Sequence, residues 1–403
     1  MPIVIPYIPQ QITVHLGPPS SDAANVTVPF VEYVKNVASS EIYPTWGESA
    51  LRANILAITS FALNRVYTEF YRSRGYPFEI TNSTAYDQFY VHGRSIFANI
   101  SRLADELFND YLRRPGFVEP LAAKFCNGTT AVCEGLSQWG SEGLSQQGYS
   151  WLDILKSYYG SIEVVKNAPV KDVASSYPGT PLRRGSSGPF VVTTQVMVNR
   201  IAQNYPAIPK VSPVDGIFGS QTENAIRRFQ SIFQLTADGI VGPATWYALV
   251  RYYIAVTAMA ELNSQGQKYY AVVWPGGNAL VPGDRGPYVE NLQYMLRVLS
   301  AYLPEIPPLA IDGIYGPITA TAVSAAQRRF GLPETGTTDQ QTWTAIYDQY
   351  QGIQAVSQEP PASSGGSKGS ARQNYSKSAH LTQFPGKDLR MGHQDPPRQE
   401  VNP

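Results

Sequence analysis

The chain has 403 residues, enough for several domains, and its 31 Lys and Arg residues balance its 31 Asp and Glu residues. A neutral chain with 15% charged residues has no overall field that draws it to nucleic acid, so no nucleic-acid partner is expected. No stretch reaches the roughly 18 apolar residues that span a bilayer, and no transmembrane segment is predicted. Two cysteines and four histidines are too few for a His-rich zinc site, so we expect no metal and no cofactor.

The first elements predicted are short strands and a helix. Residues 12–16 and 26–28 have the composition of two strands around the turn Gly17-Pro18-Pro19. Apolar residues at helical spacing then predict a helix over 30–38. The residues before the first strand contain prolines and no basic cluster, so they do not form a standard secretion signal.

Longer helices follow in the N-terminal part of the chain. One begins near Thr45, which lies three residues before Glu48 in the capping-box pattern, and its body runs from 48 to 71. Further helices are predicted over 96–112 and 151–159.

A segment of about 70 residues then occurs twice. Its first copy contains Asp215-Gly216-Ile217-Phe218-Gly219 and its second contains Asp312-Gly313-Ile314-Tyr315-Gly316. The downstream residues that match keep the same offset of 97 positions, including Gln230 with Gln327 and Trp246 with Trp343. Such a repeat sets domain boundaries and indicates a surface that is used twice.

Both copies resemble the three-helix peptidoglycan-binding domain of bacterial cell-wall enzymes. The resemblance covers a Gly-x-x-Gly start, the Asp-Gly turn, a helix with Thr and Ala, and the Thr-Trp close. It implies peptidoglycan, through glycan strands or stem peptides, as the partner. The turn aromatics Phe218 and Tyr315 are expected to be partly exposed and to contact ligand, with core packing as the alternative. Trp246 and Trp343 are expected in the core.

Residues 26–166 resemble a second family, the stage II sporulation protein D domain. Three stretches carry the resemblance. They are Val28-Pro29-Phe30-Val31-Glu32-Tyr33-Val34 with Ser39-Ser40-Glu41-Ile42-Tyr43, then Ala50-Leu51-Arg52-Ala53 with Ser60-Phe61-Ala62-Leu63, and Gly135-Leu136-Ser137-Gln138-Trp139-Gly140 with Gly148-Tyr149-Ser150.

This second resemblance implies lytic transglycosylase chemistry on glycan strands, with Glu41 as the catalytic acid. Burial near Ile42, Tyr43 and Trp46 would have to raise its pKa. The alternative for Glu41 is a solvated carboxylate between two helices. Ser137 and Gln138, from the most specific stretch, would orient substrate or serve the fold.

The chain also departs from the second family. The His-Gly-Val-Gly stretch usual before Ser-Gln is replaced by Val132-Cys133-Glu134-Gly135, so the domain could also be a non-catalytic binding protein. Cys126 and Cys133 are expected to be inert thiols or a disulfide in preference to a zinc site, which some relatives are thought to have.

The predicted fold class is an α+β N-terminal domain, followed by two small all-α three-helix domains and a disordered C-terminal tail. The domain bounds are 1–167 for the sporulation-type domain, 168–181 for a linker, 182–252 and 280–350 for the repeats, 253–279 for a connector and 351–403 for the tail. The protein is expected in the cell wall or spore envelope. Its function is either glycan cleavage at Glu41 or non-catalytic peptidoglycan binding, and a zinc amidase or peptidase is the third reading.

Overall fold

The computed structural model of the protein describes residues 6–267, 274 and 279–356. Within the predicted connector, the stretch 268–273 therefore lies outside the described residues. So does the predicted disordered tail from residue 357 onward. Residues 351–356 belong instead to the last helix of the second repeat.

The strands of the N-terminal domain form four small sheets rather than one large sheet. Antiparallel strands β2 (Gln11–His15) and β3 (Asn25–Pro29) form the predicted hairpin, and β4 (Ile80–Thr81) pairs with β2 in parallel on its other side. The other pairs are β1 with β9, β5 with β8, and β6 with β7. The strand bounds are β1 Ile8–Pro9, β2 Gln11–His15, β3 Asn25–Pro29, β4 Ile80–Thr81, β5 Tyr111–Arg113, β6 Phe125–Cys126, β7 Leu136–Ser137, β8 Glu163–Val165 and β9 Val170–Lys171.

One helix lies at the centre of this domain. Of the 20 residues of α2, 16 are buried, so it is enclosed on nearly all sides by its neighbours. It packs against the other helices of the domain and against β5. The helix bounds are α1 Phe30–Glu41, α2 Glu48–Tyr67, α3 Ala98–Leu107, α4 Gln138–Gln146 and α5 Trp151–Tyr159. The N-terminal region is therefore mixed α and β.

Two helix predictions differ from the structure. The capping box at Thr45 is wrong because α2 begins at Glu48, after Gly47. The backbone N–H of Gly47 donates a hydrogen bond to Glu142 Oε2 of α4 at 2.8 Å. Because Glu142 is distant in the sequence, a local capping pattern could not predict this partner. The helix over 96–112 ends at Leu107, and its last residues form β5 because they pair with β8.

Each repeat folds into three helices around its own apolar core, as predicted. The first repeat contains α6 Pro189–Asn204, α7 Ser220–Ile232 and α8 Pro243–Thr257. The second contains α9 Pro287–Ser300, α10 Pro317–Arg329 and α11 Gln340–Val356. Trp246 and Trp343 are buried in the two cores, as predicted.

A buried glutamine organises each Asp-Gly turn of the first repeat. The Nε2 group of Gln195 donates to Asp215 Oδ1, Ile217 O and Thr222 Oγ1 at 3.0–3.1 Å, and its Oε1 accepts from Gly216 N at 2.9 Å. Gly216 has φ of +72°, a backbone conformation that favours glycine. The side-chain amide thus satisfies polar groups that the core would otherwise leave without partners.

The same arrangement occurs four times, twice in each repeat. Gln230 and Gln293 bind the turns at Asp238-Gly239 and Asp312-Gly313 through equivalent atoms. Gln327 binds the fourth turn, where Thr335 replaces the aspartate. The period of 97 residues therefore contains a shorter structural repeat, which the sequence comparison did not identify.

The repeats are attached directly to the N-terminal domain. Buried Glu69 accepts hydrogen bonds from the backbone N–H and the hydroxyl of Ser176, and Trp246 Nε1 donates to the same hydroxyl at 2.8 Å. Asn64 of α2 donates to Met259 O just after α8, and Val118 lies in the core of the second repeat. These contacts join residues from all three domains through buried groups.

Candidate functional site

Glu41 is the last residue of α1, and its carboxylate is held from two sides. Ile42 leaves the helix in an extended conformation, so the chain turns before α2 begins. Glu41 Oε1 accepts a hydrogen bond from the backbone N–H of Phe89 at 2.9 Å. Oε2 accepts one from Nε2 of Gln138 at 3.1 Å. The structure thus brings together two of the residues that the sequence predicted for the site.

The environment of Glu41 shifts the pKa of its carboxyl group upward. Burial raises its pKa above the ordinary glutamate value, and the hydrogen bonds from Phe89 and Gln138 offset part of that rise. Neither donor carries a charge. A half-buried carboxyl group that remains partly protonated closer to neutral pH has the property that a general acid needs.

The segment that carries Phe89 is fastened along α1. Asn36 exchanges two hydrogen bonds with the backbone of Val91, at 2.8 and 3.0 Å. Arg94 Nη1 donates to Ser40 Oγ at 2.8 Å. Because Asn36 and Ser40 lie in the last turns of α1 before Glu41, these bonds hold the segment whose backbone N–H donates to the carboxylate.

Gln138 is oriented by a strand and a helix cap. It is the first residue of α4 and directly follows β7, which pairs in parallel with β6. Ser137 accepts a hydrogen bond from Gly140 N at 3.0 Å and so caps α4. A Cβ on Gly140 would lie 2.1 Å from the Tyr158 hydroxyl and 2.9 Å from Ser137 Oγ, so a larger residue there would have to displace these side chains. Ser137 therefore supports the helix that presents Gln138.

Cys126 and Cys133 form a disulfide, one of the alternatives expected from the sequence. The closed loop is organised by Asn127, whose Oδ1 accepts from the N–H groups of Thr129, Thr130 and Ala131. The Asn127 carbonyl in turn accepts from Trp139 N at 3.2 Å. The disulfide loop is thereby docked on the first turn of α4, beside Gln138.

Three aromatic side chains, which sequence reasoning did not identify as a binding surface, meet where the segments that follow Glu41 and Gln138 come together. We call Tyr43, Trp46 and Trp139 the aromatic cluster. Their ring centroids are 5.0–5.8 Å apart in all three pairs. Tyr43 is 56% exposed and Trp139 46% exposed, whereas Trp46 is buried beneath them. The available signal was their position in sequence, two residues after Glu41 and one residue after Gln138.

The expected partial exposure of Phe218 and Tyr315 is wrong. Both rings are buried in their repeat cores. The backbone of Phe218 pairs with that of Ser186 and Gly185, and in such an extended segment successive side chains point to opposite sides. The ring therefore faces the core, and Ile217 is the turn residue that is exposed. These two rings lie far from water and are not brought together with Glu41 by any contact among the described residues.

Two further observations concern the described part of the chain. Its residues contain no group of three or more His, Cys, Asp and Glu side chains that could hold a metal ion. None of the helices described is long and apolar enough to cross a membrane.

Comparison with known proteins identifies the repeats. Residues 187–249 and 285–346 match the family described as "Putative peptidoglycan binding domain". The chain therefore contains two peptidoglycan-binding domains, and these coincide with the two three-helix domains of the structure.

Two proteins that are similar to this chain over longer stretches are named as N-acetylmuramoyl-L-alanine amidases. N-acetylmuramoyl-L-alanine amidase CwlL of Bacillus licheniformis is 28% identical over 75% of this chain and 81% of its own length. A "Probable N-acetylmuramoyl-L-alanine amidase" of the same organism is 31% identical over 45% of this chain and 48% of its own. The crystal structure of the SleB N-terminal domain is 32% identical, covering 19% of this chain and 99% of that one, with a TM-score of 0.17.

Proposed function

We propose that this protein is a cell-wall enzyme that cleaves peptidoglycan glycan strands as a lytic transglycosylase, with Glu41 as acid and then base. The observation that carries the proposal is the half-buried Glu41 carboxyl group, held by Gln138 and Phe89 with a raised pKa, in a chain with two peptidoglycan-binding domains. The resemblance of residues 26–166 to the stage II sporulation protein D domain supports it.

The reaction needs one carboxylic acid. Glu41 donates its proton to the glycosidic oxygen as the bond from that oxygen to C1 of the muramyl residue breaks. The resulting carboxylate takes the proton of the C6 hydroxyl of the same residue. The C6 oxygen then bonds to C1 and gives a 1,6-anhydro sugar, and no water is consumed.

The surroundings of Glu41 are consistent with such a division of roles. The neutral side-chain amide of Gln138 can hydrogen-bond to Glu41 whether the Glu41 carboxyl group is protonated or ionised. Glu142, one turn further along α4, is committed to Gly47 N and to Gln146, at 2.8 and 2.9 Å. Glu142 therefore links α4 to the start of α2, and Glu41 remains the carboxyl group that contacts Gln138.

Digestion of purified peptidoglycan and of peptide-free glycan strands tests the proposal. Wild type is expected to release fragments that end in 1,6-anhydromuramic acid, and Glu41→Gln is expected to lose this activity by at least about a hundredfold. Glu32→Gln is the matched control, because Glu32 lies on the same helix in an ion pair with Lys35. No product from wild type would overturn the enzyme, and equal product from Glu41→Gln would overturn the role of Glu41.

The pH dependence of kcat/KM in the same digestion provides a second test of the role of Glu41. Glu41 must be protonated at the start of the reaction, so kcat/KM is expected to fall as pH rises through its folded-state pKa. Because burial raises that pKa, the fall is expected at higher pH than for an ordinary glutamate. A fall centred at the ordinary glutamate value would contradict the role of burial.

A second candidate is amide hydrolysis that releases stem peptides, and the names of the two relatives favour it. The same digestion separates the candidates. Free stem peptides without anhydro sugars indicate an amidase. Sedimentation with insoluble peptidoglycan without any product indicates a non-catalytic wall-binding or spore-envelope protein. In each case peptidoglycan remains the partner, and the cell wall the site of action.

A further inference from the structure

The aromatic cluster is an exposed apolar surface that the fold holds in place. Trp46 N donates to Tyr43 O at 3.1 Å across the turn between α1 and α2. The carbonyl of Pro44 in the same turn accepts from Asn99 Nδ2 at 2.6 Å. Trp139 is anchored by its backbone bond to Asn127 and by its place in the first turn of α4. The rings are therefore preorganised by backbone contacts from separate elements.

The cluster is linked to the carboxylate through adjacent residues of the chain. Trp139 directly follows Gln138, whose amide contacts Glu41, and Tyr43 lies two residues beyond Glu41 in the chain. Two of the three rings remain about half exposed although they pack against each other. Large exposed rings that meet in one place and adjoin a polar site indicate a surface that is covered when ligand binds.

The chemistry of the cluster fits a neutral sugar ring. The C–H groups on one face of a pyranose pack against an aromatic face, while its hydroxyl and acetamido groups remain free to hydrogen-bond at the edge. Of the three side chains, Tyr43 adds a hydroxyl and Trp139 an indole N–H, and none carries a charge. An apolar floor with polar edges is thus carried by the same segments as Glu41 and Gln138.

We propose that Tyr43 and Trp139, supported from beneath by Trp46, form a saccharide-binding subsite that stacks on one N-acetylated sugar ring of the glycan strand, next to the bond presented to Glu41. This inference rests on the proposed function, because it takes Glu41 as the reacting group. The occupant is a sugar ring of the strand rather than a stem peptide or a second copy of the chain. The subsite would position the strand, and binding at it would contribute to KM rather than to the chemical step.

The test uses full-length protein labelled with 5-fluorotryptophan, in the Glu41→Gln background so that no strand is cleaved. The fluorine signals of Trp46 and Trp139, assigned with single Trp→Phe variants, are followed while soluble peptide-free glycan oligosaccharides are added. Both signals are expected to shift together and to give one dissociation constant, independently of binding at the repeats. Trp139→Ala is expected to weaken that constant, read from the Trp46 signal, by about tenfold, and Trp139→Phe by about threefold.

Controls identify the occupant. Tyr302→Ala removes an exposed aromatic ring of similar exposure from the second repeat and should leave the Trp46 titration unchanged. A muramyl dipeptide that shifts the signals more strongly than the oligosaccharide would overturn the proposal in favour of stem-peptide binding. Self-association of the free protein that disappears in Trp139→Ala, without a change in oligosaccharide binding, would overturn it in favour of a second copy.

The subsite and the proposed function can fail separately. If wild type makes anhydro sugars and Trp139→Ala has an unchanged KM on soluble strands, the subsite is overturned and the enzyme stands. If wild type makes no anhydro sugar but the Trp46 and Trp139 signals titrate with oligosaccharide, the enzyme is overturned and the binding surface stands.

Discussion

The two peptidoglycan-binding domains share one fold, but they fill equivalent buried positions with different residues. Phe218 and Val241 of the first repeat are both fully buried. At the equivalent positions the second repeat has Tyr315 and Thr338, and the tyrosine hydroxyl donates to Gly336 O at 2.9 Å and lies 3.1 Å from the threonine hydroxyl. An apolar pair has thus been exchanged for a hydrogen-bonded pair in the same place.

This exchange shows that two of the residues in which the second copy differs from the first, Tyr315 and Thr338, depend on each other. A tyrosine hydroxyl buried opposite valine would lose a partner, so Thr338 and Tyr315 are compatible together rather than separately. A third change, from Phe229 to Ala326, places a buried alanine where the first copy packs a ring against Phe233. The second copy is therefore a repacked domain and not a degraded one.

The largest expected effect concerns the buried glutamines that both copies keep. Replacing Gln230 by Leu leaves Gly239 N, a carbonyl and Asp238 without their buried partner, and we expect a loss of about 4 kcal/mol in the free energy of unfolding. Gln327→Leu should cost about 1 kcal/mol less, because its turn has neutral Thr335 instead of a carboxylate. Denaturant unfolding of the full chain measures both, and equal losses would contradict the role of the charge.

The next effect concerns Glu119, which joins the N-terminal domain to the connector between the repeats. Its carboxyl group is buried and accepts from Ser264 Oγ at 2.7 Å and Gln267 N at 2.8 Å. Burial raises its pKa from 4.5 to about 7. Between these values the folded protein holds a proton that the unfolded chain has released, so the stability of the fold falls as pH rises.

This coupling predicts a loss of about 3 kcal/mol between pH 4.5 and 7 that is absent from Glu119→Gln. The measurement is the free energy of unfolding of both proteins across that range. Since other carboxyl groups titrate there too, the difference between the two curves is the informative quantity. Parallel curves would show that Glu119 is not protonated in the folded protein near neutral pH.

A smaller effect tests the coupling between Tyr315 and Thr338 directly. Tyr315→Phe and Thr338→Val are each expected to cost about 1 kcal/mol, since each leaves a buried polar atom with fewer partners. The double variant recreates the pair found in the first repeat and should cost less than the sum by about 1 kcal/mol. An additive double-mutant cycle would show that the two positions are independent.

The smallest effect is expected at the surface of the second repeat. Arg328 and Glu334 form an exposed ion pair, and replacing either by Ala should leave the melting temperature unchanged at physiological salt. The equivalent positions of the first repeat are Ser231 and Ala237, which carry no charge, so we expect the stability of both copies to depend on their buried groups. A clear drop in melting temperature would show that surface charge also distinguishes the copies.

The sequence predicted the elements whose signals are local. The hairpin of β2 and β3 and helices α1 and α5 follow from periodicity and turns, and the three helices of each repeat follow from the resemblance to the peptidoglycan-binding domain. The strand Tyr111–Arg113 was missed because its pairing with β8 is a tertiary contact, which overrides the helical propensity of the segment. The orientation of Phe218 and Tyr315 depended in the same way on backbone pairing across the repeat.

The candidate site was predictable only in part. Family motifs pointed to Glu41 and Gln138, and these residues are in contact. The hydrogen bond from Phe89 to Glu41 could not be predicted, because it is donated by a backbone N–H, which does not depend on residue type. The two residues also lie 48 positions apart. The aromatic cluster joins residues of two distant segments, so no window of sequence contains it.

The central claim, that Glu41 alone serves as acid and base for an intramolecular reaction, is tested most directly by digestion in water enriched with heavy oxygen. Mass spectrometry of the released fragments would show whether solvent oxygen enters the new sugar end. The account predicts anhydro ends that are one water lighter than hydrolysis products and carry no label, formed by wild type and not by Glu41→Gln. Labelled reducing ends, or labelled carboxyl groups without new sugar ends, would contradict it.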